Sequence, residues 1–524
     1  MSRNFRSDLS DPDRFIITME LVPKAESTGR SINTVLEFSK QALNDGRLSA
    51  VSITDNPGGN PSLSPDVLGK EILDSGIDVI VHVTCRDMNR MGIESRALQL
   101  RRMGMNNILA LTGDYSGKGF GGQGAPVFDL DSVNLLCFFN MMNQKSEDSD
   151  HFFKGCAVSP FKWTEPECYA QYYKLRKKIS TGADFIITQL GYDARKYYEL
   201  IQFLKNNDLK IPALASVYLL TPRVARVMNS GRIPGTVVSK ELYMKILEEW
   251  KSDKRTGYFA SVDRAAKLAA ICKGLGYRGI HIGGIHRNFK TVKRILDRMA
   301  EIENSWQDFL KEFDYSQPDH YYMYEKNKQS ALSSDILAPK NSKATSFHKL
   351  HFKFLHSIHN SLFSINTPHA AIYKKISRQL YQNSGIVYHL VKFFEDVLKK
   401  ILLNCQQCGD CGIEYPGFLC PESGCPKHMR NGACGGSRKG KCEVYPDRFC
   451  IWYLAYQRFA LIEKTENMAT ACAPPRMWEL NKTSSWINFH LGRDHHTKLC
   501  SIAGACNTGL CSPKKQTVKT DRIK

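Results

Sequence analysis

The sequence predicts an α/β protein: a (β/α)₈ TIM barrel followed by a helical linker and a small cysteine-rich domain that holds metal or iron–sulfur clusters. Three observations carry this. Eight apolar, β-branched runs recur through the first three hundred residues, with helix-length amphipathic stretches between them. No G-x-G-x-x-G follows the first run, which disfavours the open doubly wound sheet. Twelve of the seventeen cysteines crowd between Cys405 and Cys511, apart from the five scattered through the rest, which read as small buried hydrophobes.

In order, the strand-like runs are 15–21, 48–54, 77–84, 108–112, 155–159, 185–190, 212–217 and 279–284. Amphipathic stretches at 31–43, 94–103, 166–180, 194–205, 240–251, 262–274 and 289–302 supply the helices. The densest strand is N-I-L-A-L-T-G-D at 107–114, whose unbroken apolar run suits a strand covered on both faces. It ends in Gly113 and Asp114, which set a carboxylate beyond the carboxyl end of the strand, where such barrels bind ligands. The other strand ends contribute Glu20, Thr54 with Asp55, His82, Gln189 and the segment from His281 to Arg287. A glutamate inside a buried strand is costly unless it is paired or functional, and desolvation raises its pKa. Glu20 is therefore a candidate general acid.

At 524 residues the chain calls for more than one core. Its apolar fraction of 42% and charged fraction of 24% are those of a globular protein, and no apolar run reaches 18 residues, so no membrane span is expected. The first residues lack the pattern of a secretory signal, which predicts a cytoplasmic protein. The net charge of +20 is partly local: residues 340–400 hold ten Lys or Arg and six His against Glu395 and Asp396. With no helix-turn-helix, RNP or finger signature to focus it, this charge reads as a solvated connector, or as a face for an acidic partner or anionic substrate, and not as nucleic-acid binding.

Beyond the repeats, 315–346 is polar and turn-rich and reads as a linker. Helical periodicity returns over 347–403, where His348, His351, His356 and His359 decorate an amphipathic stretch that reads as a docking helix. Between Cys405 and Cys450, eight cysteines, at 405, 408, 411, 420, 425, 434, 442 and 450, suffice for two four-thiolate sites. C-x₂-C-x₂-C followed by Cys-Pro pairs is reminiscent of ferredoxin segments, Cys₄ zinc is the competitor, and disulfides are disfavoured in a cytoplasmic chain. The expected divisions are 1–312 for the barrel, 313–403 for linker and helices, 404–496 for the cysteine-rich module and 497–524 for a basic tail. Cys500, Cys506 and Cys511 stand outside the eight.

Glu20, L-T-G-D at 111–114, K-K-I-S-T-G-A-D-F-I-I-T-Q-L at 177–190 and H-I-G-G-I-H-R-N at 281–288 together resemble the catalytic barrel of methylenetetrahydrofolate reductase, over roughly residues 13–304. The stretch from about 400 to 496, most specifically its P-K-x-x-R-N-G-x-C-G-G segment, resembles the cysteine-rich module that accompanies some members, which in acetogens occurs as a separate iron–sulfur or zinc subunit. The resemblance implies a flavoprotein, using FAD or alternatively FMN, that reduces 5,10-methylenetetrahydrofolate to 5-methyltetrahydrofolate in one-carbon metabolism, supplying methyl groups for methionine or a related branch. It implies Glu20 as the acid that opens the imidazolidine ring to a 5-iminium cation, and Asp114 between flavin and pterin. It further implies flavin contacts at Thr54, His82, Thr112, Gly113 and Lys178, and folate contacts at Gln189 and Arg287. [4Fe-4S] clusters or zinc would occupy the module.

This chain departs from the family pattern at three places. Thr112 stands where many members have an arginine before Gly-Asp, Asp55 where many have an aromatic, and Asp129 where a small residue is common. The electron donor is therefore open between NAD(P)H and a redox protein. A homo-oligomer is compatible with the barrel's outer faces. The reading from a different class is a degenerate barrel that serves as a docking scaffold for a redox or methyltransferase partner; Glu20, Asp114 and Gln189 together argue against it.

Overall fold

The computed structural model describes residues 4–496 apart from 148–149, 286–287, 316–318, 329, 343, 364–366 and 384. Arg287, His286, the basic tail and its three cysteines lie outside the described residues.

Eight parallel strands close a barrel: β1 (Ile16–Leu21), β2 (Ala50–Ile53), β3 (Val79–Thr84), β4 (Asn107–Leu111), β5 (Phe153–Val158), β6 (Phe185–Thr188), β7 (Ala213–Tyr218) and β8 (Gly279–Gly283). Each pairs with the next in sequence, and β8 closes on β1 with Gly279 beside Ile16. The eight runs read as continuous apolar segments because both faces are covered, by helices outside and by packed side chains within. Inside, Ile16, Ala50, Ile80, Leu109, Phe185 and Leu214 form one cluster with Phe5 of the N-terminal helix Phe5–Ser10. Phe5 is fully buried, edge-on to Phe185 at 5.1 Å, and plugs the amino-terminal end. The barrel is thus open only at the carboxyl ends of its strands.

Two barrel helices did not stand out in the sequence. Pro65–Asp74 begins from Ser64, whose hydroxyl accepts from the Asp66 N–H, and sits among prolines and glycines that read as loop. Ser132–Lys145 is apolar on most sides, so no stripe of period 3.6 emerges. The 315–346 stretch is more than a linker: Tyr324–Lys326 and Ser333–Leu337 pair as a hairpin strapped to the helix Ala194–Asn206. Arg195 donates to the Tyr324 carbonyl at 2.6 Å and to Ser333 Oγ at 2.9 Å, and Lys196 donates to the Tyr321 carbonyl at 2.6 Å.

Three helices follow, Ser346–Leu362, Pro368–Asn383 and Ile386–Leu403. The last is fastened by its polar residues: Glu395 accepts from Ser485 N and Oγ at 3.1 and 3.0 Å, and Lys399 donates to Ser485 Oγ at 2.5 Å. Its apolar residues are largely outward, with Ile386 80% and Ile401 75% exposed. Among the described residues no helix is long and apolar enough to cross a membrane.

The cysteine-rich module folds against the barrel and shares its core. Helix Ile451–Ala460 lies along the barrel helix Glu165–Ser180, where Tyr456 stacks on Tyr169 at 5.3 Å and donates to Glu165 Oε1 at 2.7 Å. Asp131 joins the two parts: one carboxylate oxygen caps the Ser132–Lys145 helix, while the other accepts from the Asn431 backbone and side-chain N–H groups, both at 3.0 Å. Asn431→Ala is expected to lower the chain's stability by about 1–3 kcal/mol, because buried partners lose their hydrogen bonds. Chemical denaturation followed by far-UV dichroism, with limited proteolysis between 313 and 346, would measure it.

Candidate functional site

A cavity of ≈ 320 Å³ occupies the open end of the barrel. Glu20, Thr54, His82, Thr112, Gly113, Asp114, Lys178 and Gln189, scattered over 170 residues of sequence, all line it. Sequence reasoning missed the other wall, in which the module supplies Lys427, Cys434, Gly435, Gly436 and Glu443.

Glu20 lies near the end of β1 beside Gly283 of β8 and Tyr218 of β7; a Cβ at Gly283 would stand 2.9 Å from the Tyr218 ring and 3.3 Å from the Glu20 carboxylate, so glycine there leaves both side chains room. Removal from water pushes its pKa up to about 7, and burial, with the Glu20 charge second, raises the Tyr218 hydroxyl. Deeper, His281 shares a hydrogen bond with Thr18 Oγ1 at 2.8 Å, and burial holds both His281, at about 3, and His82, at about 4, in the neutral form. Asp114 accepts from the Gly58 N–H at 2.9 Å. Thr112 Oγ1 donates to Ser132 Oγ at 3.3 Å. Lys178 reaches back from its helix to the Ala157 carbonyl at 2.6 Å, and burial lowers its pKa to about 8. Gln189 turns its amide oxygen to the Leu190 N–H at 2.9 Å and keeps its Nε2 near Gly235.

Three buried polar atoms on the cavity wall have no hydrogen-bond partner: His82 Nε2, Ser159 Oγ and Gln171 Nε2.

Two of the departures have structural employment. Asp55 accepts from Thr84 N and Oγ1 at 3.1 and 3.0 Å and from Arg96 at 2.9 Å, inside a buried network that includes Asp66. Asp129 pairs with Arg90 at 2.8 Å and accepts from Trp478 Nε1 of the module at 2.7 Å.

The P-K-x-x-R-N-G-x-C-G-G segment is the part of the module that meets the barrel mouth. Lys427 donates to the Gly113 carbonyl at 2.8 Å and pairs with Glu443. From the barrel side, Lys174 donates to the Gly432 carbonyl at 3.3 Å, and Lys162 donates to the carbonyls of Gly435 and, at 3.0 Å, Ser437. Gly432 and Gly435 have φ of +128° and +101°, and a Cβ at Gly432 would meet the Lys174 stem at 2.9 Å, so the loop approaches this closely only as glycine.

The eight cysteines are free thiols and divide into two sets. Burial, and then the neighbouring thiols of the same set, push up Cys408, Cys411 and Cys420 in the set that also holds Cys405, and Cys425 and Cys450 in the set that also holds Cys434 and Cys442. No three of these sulfurs fall within 4.8 Å of one another. Only Cys434 of the eight lines the cavity.

A closed barrel with a polar cavity at its strand ends and a buried, readily protonated carboxyl is the framework of a barrel enzyme. The chain belongs to the methylenetetrahydrofolate reductase family: the sequence family described as "Methylenetetrahydrofolate reductase" matches residues 6–300, and "Methylene-tetrahydrofolate reductase C terminal" matches 387–479. It is similar to "Methylenetetrahydrofolate reductase 1" of Schizosaccharomyces pombe, 25% identical over 308 residues, which are 56% of this chain and 47% of that one. "Probable methylenetetrahydrofolate reductase (NADPH)" of Caenorhabditis elegans is 25% identical over 219 residues, 40% of this chain and 31% of its own. The chain thus spans less than half the length of these relatives. Among solved structures, an uncharacterised Clostridium thermocellum protein described as binding two copies of 5-methyl-5,6,7,8-tetrahydrofolic acid aligns over 57% of this chain and 99% of its own at 15% identity, with a TM-score of 0.37, too low a likeness to argue from.

Lys427→Met is expected to destabilise the chain by ~3–5 kcal/mol, the cost of stranding a buried partner charge. The double variant Lys427→Met/Glu443→Gln should recover part of the loss, and denaturant titration of the two variants measures it.

Proposed function

We propose that the chain reduces 5,10-methylenetetrahydrofolate to 5-methyltetrahydrofolate with a bound flavin, its catalytic part being 1–312 and its redox part 404–496. The observation that carries this reading is the Glu20 carboxyl, raised to about 7 at the edge of a polar cavity. The reaction needs a hydride at the methylene carbon and a proton on the ring nitrogen that departs from it. Protonated Glu20 is the group available to give that proton as the carbon–nitrogen bond breaks. Gln189 and Asp114 would hold the pterin, while Thr54, His82, Thr112, Gly113 and Lys178 would hold the flavin, with FAD favoured over FMN by family. The orphaned His82 Nε2, Ser159 Oγ and Gln171 Nε2 fit a heteroaromatic ring rich in donors and acceptors. Bound flavin would supply the hydride, and metal clusters in the module would supply single electrons.

Each cysteine set offers four thiolates to an iron–sulfur cluster, our choice because the bound flavin must be re-reduced, with Cys₄ zinc as the alternative. Since the module forms one wall of the cavity and sets Cys434 in it, a redox protein is the donor we favour over a nicotinamide.

Glu20→Gln should retain flavin and its reducibility by dithionite yet slow folate reduction by ~10²–10⁴-fold in single-turnover absorbance traces. With the wild-type acid at about 7, the folate half-reaction should be fastest below that pH, decline as pH rises through it, and lose this dependence in the variant. Normal folate turnover by Glu20→Gln would make Glu20 structural; absence of both flavin absorbance and folate binding in the wild type would favour the scaffold reading. Anaerobically purified protein should contain iron with acid-labile sulfide; zinc in both sets would refute the cluster assignment.

A further inference from the structure

The end of the module holds a histidine–carboxylate cluster that the reading above does not use. An oxygen of Glu414 and one ring nitrogen each from His495 and His496 all lie within 4.8 Å of one another. Both rings are held from behind. His495 Nδ1 meets Asp410 at 2.5 Å and His496 Nδ1 meets Asp494 at 3.0 Å, so each ring turns its Nε2 away from that carboxylate. His496 Nε2 faces Glu414 at 2.9 Å, and His359 Nε2, from the helix Ser346–Leu362, faces the other Glu414 oxygen at 3.4 Å. His495 Nε2 is buried with no hydrogen-bond partner, on a side chain only 1% exposed.

We propose that Glu414, His495 and His496, completed by His359, bind a divalent transition-metal ion of the zinc type. A carboxylate behind each imidazole is the arrangement that fixes the tautomer and raises the basicity of a ligating nitrogen. Three imidazoles and one carboxylate suit zinc, and with His359, now 3.4 Å from Glu414, drawn in as the fourth ligand no position would be left for substrate and the site would be structural. The ion would clamp the histidine-rich helix to the segment that ends at His496. Asp410, which holds His495, precedes Cys411 in the chain, and a small cavity is lined by both Cys411 and the Glu414–His496 pair. The clamp would lie beside Cys411 of the first cysteine set. Of the other histidines on the helix, His348 and His351 face Arg458 and His356 faces Asn360, so His359 alone turns to the cluster. Without a metal, a proton shared between His496 and Glu414 would fill the same gap, and that is the competing account.

The test uses the full-length chain, purified anaerobically and titrated with Co²⁺. Wild type should take one equivalent that gives d–d absorption without a sulfur-to-cobalt charge-transfer band. His495→Ala and His496→Ala should each lose that equivalent while iron and labile sulfide stay unchanged, and His356→Ala should keep it. Zinc K-edge absorption of zinc-loaded wild type should show a nitrogen- and oxygen-ligated zinc, a readout that needs no variant to fold. The proposal is overturned if wild type takes up no cobalt or zinc on nitrogen and oxygen ligands, or if His496→Ala binds the metal as the wild type does.

Discussion

The Lys427 ammonium joins the two halves of this molecule at the wall of the barrel-mouth cavity. It donates to the carbonyl of Gly113, the residue that turns β4 out of the barrel, and it pairs with Glu443 on the module. Both side chains are buried, so each charge is tolerable only because the other is there. Lys162 and Lys174 repeat the device from the barrel side, giving their charges to carbonyls of the glycine loop. The cavity is therefore walled by both parts, and the barrel mouth takes its shape from a segment more than three hundred residues away in sequence.

The barrel was legible because its physics is local. A strand covered on both faces becomes a run such as I-L-A-L, and a carboxyl at a strand end announces its own desolvation. Contacts that depend on distant partners left no such mark. Ser132–Lys145, apolar on most sides, hides its period. The hairpin at 324–337 enters the core only through Tyr324 and is otherwise held by Arg195 of a barrel helix at the Tyr324 carbonyl and Ser333. The P-K-x-x-R-N-G-x-C-G-G segment stood out in the sequence, but nothing in its letters says that it docks on β4; its lysine, asparagine and glycines acquire that meaning only beside Gly113, Asp131 and Lys174.

The departures from the family pattern fit the same picture. Asp129 holds Trp478, and Asp55 is committed to Arg96 and Thr84, so two acidic residues near the mouth serve the framework and its junction with the module. Thr112, with its hydroxyl on Ser132, leaves the flank of the cavity to Lys427, a cation that comes from the module. The cysteines divide along the same line: one set comes beside the histidine cluster through Cys411, and the other reaches the cavity through Cys434.

The central claim, that barrel and module make one binding site, is tested most directly by hydrogen–deuterium exchange of the full chain with and without 5-methyltetrahydrofolate. The account predicts that the ligand protects the amides of 111–114 and those of 427–436 together. Protection of the barrel turn alone, with the module loop exchanging as before, would contradict it.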